Sequence, residues 1–600
     1  MSGADPTTDV VVWLSLLVVV GAAAGILVAG RGRDPQGRNR AVLVALLAGL
    51  FLAVAAALVL RDSDFPPLGV ALDQGFRVAS ITKYAHTWSL VDFAYQGLPA
   101  FYPPLFFWIL GRTSAWTSIE PYEALKLGLL GVALVVPVLG LALWKRVVHD
   151  WWIALALALV TLAFHDWYEP YAWLAVAVFV PWWLAWVLQV GARDDPSRAA
   201  PSRAVVVGGA AIGGALVCTY YYFFFIGAVQ LVLLLALRPL GRRYGVALPF
   251  AHARRALVVL AGAALFSAVY WLPLAVSILT TPGARSMQNR YYDPTQAGFP
   301  LHFLEFDLLG WIMLFGLVSL ALTMFRSQVA MALATMLAAA YAWFALGYLG
   351  VLVDEPLLTV KTLPLIDIVL LAGAALGAVD VARAVRRAPA LVERFGPRGV
   401  TASVAVLTVV VAIALGRDAI TAIPYVEEQR AATVPTLLLT TFERATRGRA
   451  ADTVVLTDQE QLPEYLPVFV FNVWNAHYSN PAAQFDDRTR FLERLAAERD
   501  PTVFAAALAH NRYDDVASIA LMREGDTLPY HFFDDAFPHG VAARTIVFRT
   551  EQFDDRWFAA RGSDALAVYV PKATDPRGAL DAGQHRALAR RFAGDLEGQG

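Results

Sequence analysis

Apolar residues run almost unbroken through the first two thirds of the chain and then give way to short alternating stretches. The long runs lie at 10–30, 41–60, 123–144, 151–165, 172–190, 204–220, 223–237, 256–279, 306–325, 328–350, 363–382 and 400–416. A helix needs roughly 20 such residues to cross a bilayer, so the pattern predicts a multi-spanning α-helical membrane protein with about twelve transmembrane helices. The first run follows an acidic MSGADPTTD and no small-residue cleavage site precedes the second, so it reads as a span rather than a signal peptide. The run at 151–165 is short, and a further segment, 105–116 (LFFWILGRTSAW), is too short to span and reads as a helix along the interface or a re-entrant one.

From 417 onward charges become frequent and the period changes to two. TVVLTD (453–458), VASIALM (516–522), RTIVFRT (544–550) and LAVYVPK (566–572) read as strands. Between them AQFDDRTRFLERLAAERD has helical spacing with its charges on one face. The chain therefore divides into a transmembrane unit, 1–416, and a C-terminal mixed α/β domain, 417–600.

Charge orients the spans. Connections after the first, third, fifth, seventh, ninth and eleventh runs carry twenty Lys and Arg residues, and the alternate connections carry seven. The cation-rich set is cytoplasmic by the positive-inside rule. The N-terminus, the loop 61–122 and everything after 416 then face outward, which makes a multi-pass plasma-membrane protein with an extracytoplasmic site. Composition agrees: 58% of residues are hydrophobic and 16% charged, where soluble domains carry about 25% charged residues. A net charge of −1 offers no field for a polyanion, so nucleic acid is not a partner. Cys218 is the only cysteine and cannot close an internal disulfide.

Outward connections hold most of the polar chemistry. The first contains Asp62, Asp64, Asp73, Arg77, Lys83, His86 and Asp92, together with the rigid GLPAFYPPLFFW (97–108). Later ones bring HDWYEPY (165–171), TYYYFFF (219–225), QNRYYDP (288–294) and VDEPLLTVKT (353–362). Carboxylates suit sugar hydroxyls, aromatic rings suit sugar faces and cations suit phosphate, so the set points to polyprenyl-phosphate-sugar glycosyltransferases of the GT-C class. Such a site needs a carboxylate to take the proton of the acceptor hydroxyl and cations, a metal or both to steady the departing lipid phosphate.

Each candidate also has a plainer reading. Asp73 could cap a short helix, and Asp62, Asp64 and Asp92 compete with it as the base. Lys361 could be a helix-end lysine snorkelling to the interface, and Arg290 a solvated cation. Glu169 before Pro170 has the form of a helix start. Tyr220 and Tyr221 fit an interfacial aromatic belt, FYPP a structural corner, and Asn480-Pro481 a turn before a helix. No metal-ligand spacing stands out in the sequence.

The chain also resembles the actinobacterial galactan arabinofuranosyltransferase family (AftA). The resemblance rests on DQGFR (73–77), GLPAFYPPLFFW (97–108), EPYA (169–172), WLP (271–273), TVVLT (453–457) and AHYSNPAAQFD (476–486), in the family's order. It implies an inverting GT-C glycosyltransferase whose donor is decaprenyl-phosphoryl-arabinofuranose. The acceptor it implies is lipid-linked galactan, with transfer to a galactofuranose 5-hydroxyl. Asp73 matches the family's DQ acid and becomes the expected catalytic base. Lys361, Arg77 and Arg290 become expected donor-phosphate ligands; Gln74, Lys83, Asp92, Tyr102, Glu169, His477, Tyr478, Asn480 and Gln484 become expected substrate contacts. A divalent cation at the donor phosphate follows from the class alone. Departures accompany the match: two spans precede the DQ loop where the family has three, Leu105 replaces a glycine after FYPP, and 78–96 fits loosely. Three other readings stand beside this one: a GT-C enzyme for another sugar or acceptor, a non-catalytic polysaccharide assembly protein, and a transporter. The transporter would show inverted repeats or broken helix pairs, and neither is apparent in the sequence.

Overall fold

The computed structural model describes residues 37–162, 166–190, 202–243, 253–292, 298–387 and 423–596. The expected spans at 10–30 and 400–416, the loops around Arg193 and Arg394, and His165 lie outside them. Among the described residues, seven helices are long and apolar enough to cross a membrane: Arg38–Val59, Pro121–Val147, Pro170–Val187, Arg203–Tyr220, Tyr222–Pro239, Gln328–Val351 and Thr359–Ala384. The run expected at 256–279 is a pair, Arg254–Phe266 and Ala268–Thr280, bent by 73°. The runs at 151–165 and 306–325 are the shorter apolar helices Trp151–Leu162 and Leu308–Thr323.

Local chemistry sets the helix starts. Pro170 and Pro121 occupy first-turn positions whose N–H groups need no partner. The side chains of Asp150, Ser202 and Ser327 each accept first-turn N–H groups. Small residues let the apolar helices approach: a Cβ on Gly49 would come within 2.2 Å of the Leu134 carbonyl oxygen, which presses Arg38–Val59 onto Pro121–Val147.

The C-terminal part is a mixed α/β layer. Strands β1 (Val454–Thr457), β2 (Phe469–Val470), β3 (Val516–Met522), β6 (Phe558–Gly562) and β7 (Leu566–Pro571) form one sheet in the order β2-β1-β3-β7-β6. Strand β1 runs parallel to both its neighbours, while β7 is antiparallel to β3 and β6. Strands β4 (Thr527–Asp535) and β5 (Val541–Arg549) form a separate antiparallel hairpin. Helices Phe485–Ala497 and Pro501–Ala509 bury their apolar faces.

The loop 61–122 joins the two parts. It folds into helices Asp73–His86 and Leu105–Thr117, the second over the segment expected to be too short to span. Phe76, Ala79, Phe93, Ala94 and Tyr95 belong to one buried apolar cluster with Val454, Leu456, Phe469 and Val470 of the sheet. The loop's first helix is thereby packed against the C-terminal layer, with its N-terminal turn facing the Glu169 end of the Pro170 helix.

Candidate active site

Asp73 begins the Asp73–His86 helix but does not cap it; the N-cap is Leu72, whose side chain makes no capping hydrogen bond. The carboxylate instead sits where the helix dipole favours a negative charge, with its side chain 33% exposed. Its Oδ1 accepts the Tyr478 hydroxyl at 2.7 Å and its Oδ2 lies 3.5 Å from Arg77 Nη2.

Arg77, one turn on, is fully buried and spends every donor. Its five N–H groups meet five acceptors: Tyr171 Oη at 3.2 Å, Gln74 Oε1 at 3.0 Å, the Tyr168 carbonyl at 2.8 Å, Asp73 Oδ2 at 3.5 Å and Glu169 Oε1 at 2.9 Å. The guanidinium also lies 4.4 Å from the centre of the Tyr168 ring. Burial works against its charge, but Tyr171, Glu169 and Asp73 around it hold Arg77 well above its usual range. Arg77 is therefore a strut between the two acids, and its saturation corrects the expectation that it binds phosphate. Gln74 shares that role, donating to the Pro67 carbonyl at 3.1 Å.

Glu169 is set by its own local sequence. Asp166 Oδ1 accepts the backbone N–H groups of Tyr168 at 3.0 Å and Glu169 at 2.7 Å, and Pro170 then starts the helix. The Glu169 carboxylate accepts both Arg77 and, at 2.6 Å, Lys361 Nζ. Burial pushes this carboxyl up, but Lys361 and Arg77 outweigh it and keep the group below the usual carboxylate range. The helix-start reading and the ion pair both hold.

Lys361 stands on the tight turn Thr359–Thr362 ahead of the Leu363–Arg387 helix. That turn is anchored by the Tyr222 hydroxyl, which reaches the Leu357 and Leu358 carbonyls at 2.7 and 2.8 Å. Its side chain keeps 32% exposure while bound to Glu169, so its ammonium has donors left for an incoming anion. Asp73, Arg77, Glu169 and Lys361 thus form one chain of alternating charge.

Aromatic side chains lie against this chain. Tyr102, from FYPP, stacks on Phe76 with ring centres 4.4 Å apart, and its hydroxyl reaches the His477 carbonyl at 3.4 Å. Tyr478 packs 5.2 Å from Phe76. His477 Nε2 pairs with Asp535 at 3.2 Å, and Asp535 takes Arg290 Nε at 2.5 Å. Arg290 also lies 3.5 Å from Asp354, so the expected phosphate ligand is engaged by two carboxylates rather than solvated.

The remaining expected contacts lie elsewhere. Lys83 is buried, donating to the Val468 carbonyl at 2.7 Å with its ammonium 3.5 Å from the centre of the Phe469 ring. Asp92 accepts the N–H groups of Ala94 and Tyr95 at 2.9 and 3.0 Å and the Asn480 amide at 3.1 Å. Asn480 also accepts the Ala482 N–H at the start of a short turn, as the plainer reading of Asn480-Pro481 has it. Gln484 donates to the Pro282 carbonyl at 3.1 Å. These four hold the loop, the 280s segment and the C-terminal layer together, and the structure does not bring them to the Asp73 chain. Burial moves Lys83 down to about 7 and Asp92 up to about 6.

Sequence reasoning passed over Tyr168 and Tyr171, which bracket the guanidinium, and over Asp535 and Asp354. It also passed over Glu464, a buried carboxyl facing Gly75: a Cβ on Gly75 would meet Glu464 Oε1 at 2.4 Å, which explains the glycine of DQGFR. The four-residue spacing of Asp73 and Arg77 is the one signal in the sequence that foretells a contact within the chain of charges. Among the described residues, no group of three or more His, Cys, Asp or Glu is placed to hold a metal ion.

The family models for the arabinofuranosyltransferase N terminus and the arabinofuranosyltransferase A C terminus match residues 6–415 and 428–568. The galactan 5-O-arabinofuranosyltransferase of Mycobacterium tuberculosis is 29% identical over 602 positions, covering 95% of this chain and 91% of that protein. The Mycobacterium leprae protein of the same name is 26% identical, with 95% and 94% covered. Among solved structures, ArnT of Cupriavidus metallidurans bound to undecaprenyl phosphate aligns with a TM-score of 0.48 at 13% identity, over 89% of this chain and 98% of that one. The Archaeoglobus fulgidus oligosaccharyltransferase AglB, in complex with an inhibitory peptide and a dolichol-phosphate, aligns at 0.43 and 14% identity, over 80% and 69%.

Proposed function

The chain belongs to the arabinofuranosyltransferase A family, and from that premise we infer that it is a membrane glycosyltransferase that moves arabinofuranose onto galactan. The observation that carries the reading is the pair of family matches, which together span residues 6–415 and 428–568 and include all four members of the Asp73–Lys361 chain. The donor we propose is decaprenyl-phosphoryl-arabinofuranose, the acceptor a lipid-linked galactofuranose polymer, and the side of reaction extracytoplasmic.

In this mechanism the galactofuranose 5-hydroxyl gives its proton to Asp73 as its oxygen attacks the anomeric carbon. The bond to the lipid phosphate breaks on the opposite face, which inverts that carbon. Negative charge grows on the leaving phosphate, and Lys361 is the cation with donors available to meet it. Arg77 acts through its partners, holding Asp73 and Glu169 at a fixed separation. Tyr102, Tyr478 and His477 form the side that the acceptor sugars approach. Among the described residues no group of three or more His, Cys, Asp or Glu is placed to hold a divalent cation, and in this mechanism Lys361 meets the charge on the leaving phosphate.

The test is transfer of labelled arabinofuranose from the decaprenyl phosphate donor to a short synthetic galactofuranose acceptor, followed by linkage analysis. Product substituted at the galactose 5-position is expected. Label appearing only on a different acceptor or at a different hydroxyl would replace the substrate assignment.

A further inference from the structure

Both oxygens of Asp73 are engaged. Oδ2 is turned toward Arg77 at 3.5 Å, and Oδ1 holds the Tyr478 hydroxyl at 2.7 Å. A general base must hydrogen-bond the proton it removes, so the more closely held oxygen of this base is already taken by the protein's own hydroxyl. Tyr478 is well fixed for that purpose. It ends the turn Ala476–Tyr478, which is tied by Asn475 Oδ1 accepting the His477 N–H at 3.0 Å and by His477 on Asp535 at 3.2 Å. Its ring packs against Phe76 and Trp474 at 5.2 and 6.3 Å. Burial and the adjacent Asp73 push its phenol upward, so it stays a donor.

We propose that Tyr478 guards the base against water. Without acceptor, its hydroxyl occupies Asp73 Oδ1 and suppresses hydrolysis of the lipid-phosphate sugar; the acceptor hydroxyl displaces it at the moment of transfer. The discrimination comes from binding energy. A polymer acceptor gains contacts along several sugar units, and that energy can break the Tyr478 hydrogen bond. Water brings no such contacts. The two reactions are otherwise the same: a hydroxyl oxygen bonds to the anomeric carbon, the carbon–oxygen bond to phosphate breaks with its electron pair leaving on phosphate, and the hydroxyl proton passes to Asp73. Water yields free arabinose; the acceptor yields the extended polymer.

This proposal rests on Asp73 being the base, and the experiment separates the two. Full-length wild type, Tyr478→Phe and Asp73→Asn are given labelled decaprenyl-phosphoryl-arabinofuranose with and without galactofuranose acceptor, and both free arabinose and transfer product are counted. Tyr478→Phe keeps the ring packing and removes only the hydroxyl. It is expected to raise the ratio of hydrolysis to transfer about tenfold, the effect of losing one hydrogen bond to a charged group, with acceptor-free hydrolysis itself rising. Tyr478→Leu, which removes the ring as well, should move the ratio in the same direction. Unchanged hydrolysis in Tyr478→Phe, or parallel loss of both reactions, overturns the guard while leaving the base assignment intact. Retention of both reactions by Asp73→Asn overturns the base and the guard together.

Discussion

The two ends of one short helix, Asp73–His86, treat their charges in opposite ways. At the first turn Asp73 stays partly exposed and is held by side chains alone, Tyr478 and Arg77. Near the last turn Lys83 is 1% exposed and spends its ammonium on the Val468 carbonyl and the Phe469 ring. Close by, Arg112 donates to the Tyr84 carbonyl at 2.7 Å and also to that of Ala85, closing the helix end. A side-chain partner can rotate away and let a substrate in, whereas a backbone carbonyl cannot move without moving the fold. The difference marks which end reacts and which end holds the loop to the C-terminal layer.

Breaking the reactive end is expected to produce the largest effect. Glu169→Ala leaves Arg77 buried without the nearer of its two carboxylates, which costs about 3–5 kcal/mol; a fall in thermal midpoint in detergent together with loss of transfer checks it. Gly75→Ala drives a Cβ into Glu464 on the back of the same turn and is expected to cost about 1–3 kcal/mol, read by the same melt. At the holding end, the comparison sharpens through pH. Burial lowers Lys83 from 10.5 to about 7, so between those values the unfolded chain binds more protons and stability rises with pH. Asp92 is raised from 3.8 to about 6, so over that lower window the folded chain binds more protons and stability falls as pH rises. Melts across pH should show both slopes, with Lys83→Met removing the upper one and Asp92→Asn the lower. Gln484→Ala, at an exposed amide on Pro282, is expected to shift stability by less than about 0.5 kcal/mol.

Legibility followed the range of the interaction. Apolar runs of span length are local, and each run that falls in the described residues is helical, though two are short and one is bent. Strands β1, β3, β5 and β7 have enough alternation to be read directly. Strand β2 has only two residues, β4 carries Pro529 and a consecutive YHFF, and β6 is short and made mostly of small residues, so none of them announces itself. In the site, Asp73 and Arg77 are a turn apart and could be paired by spacing. Glu169 and Lys361 are separated by 192 positions, and Asp73 and Tyr478 by 405; only the fold brings them together. Lys83, Asp92 and Asn480 show the converse limit. Their residue types suit a sugar site, and nothing in the sequence reveals that their partners are backbone groups and one another.

The central claim is that the helix reacts at Asp73 and is merely held at Lys83. The direct measurement is arabinofuranosyl transfer by purified Asp73→Asn and Lys83→Met, each with its thermal midpoint. Asp73→Asn is expected to melt like wild type yet transfer about a thousandfold more slowly, while Lys83→Met loses only the upper of the two pH slopes and keeps its turnover once folded. Wild-type turnover by a folded Asp73→Asn protein would contradict it.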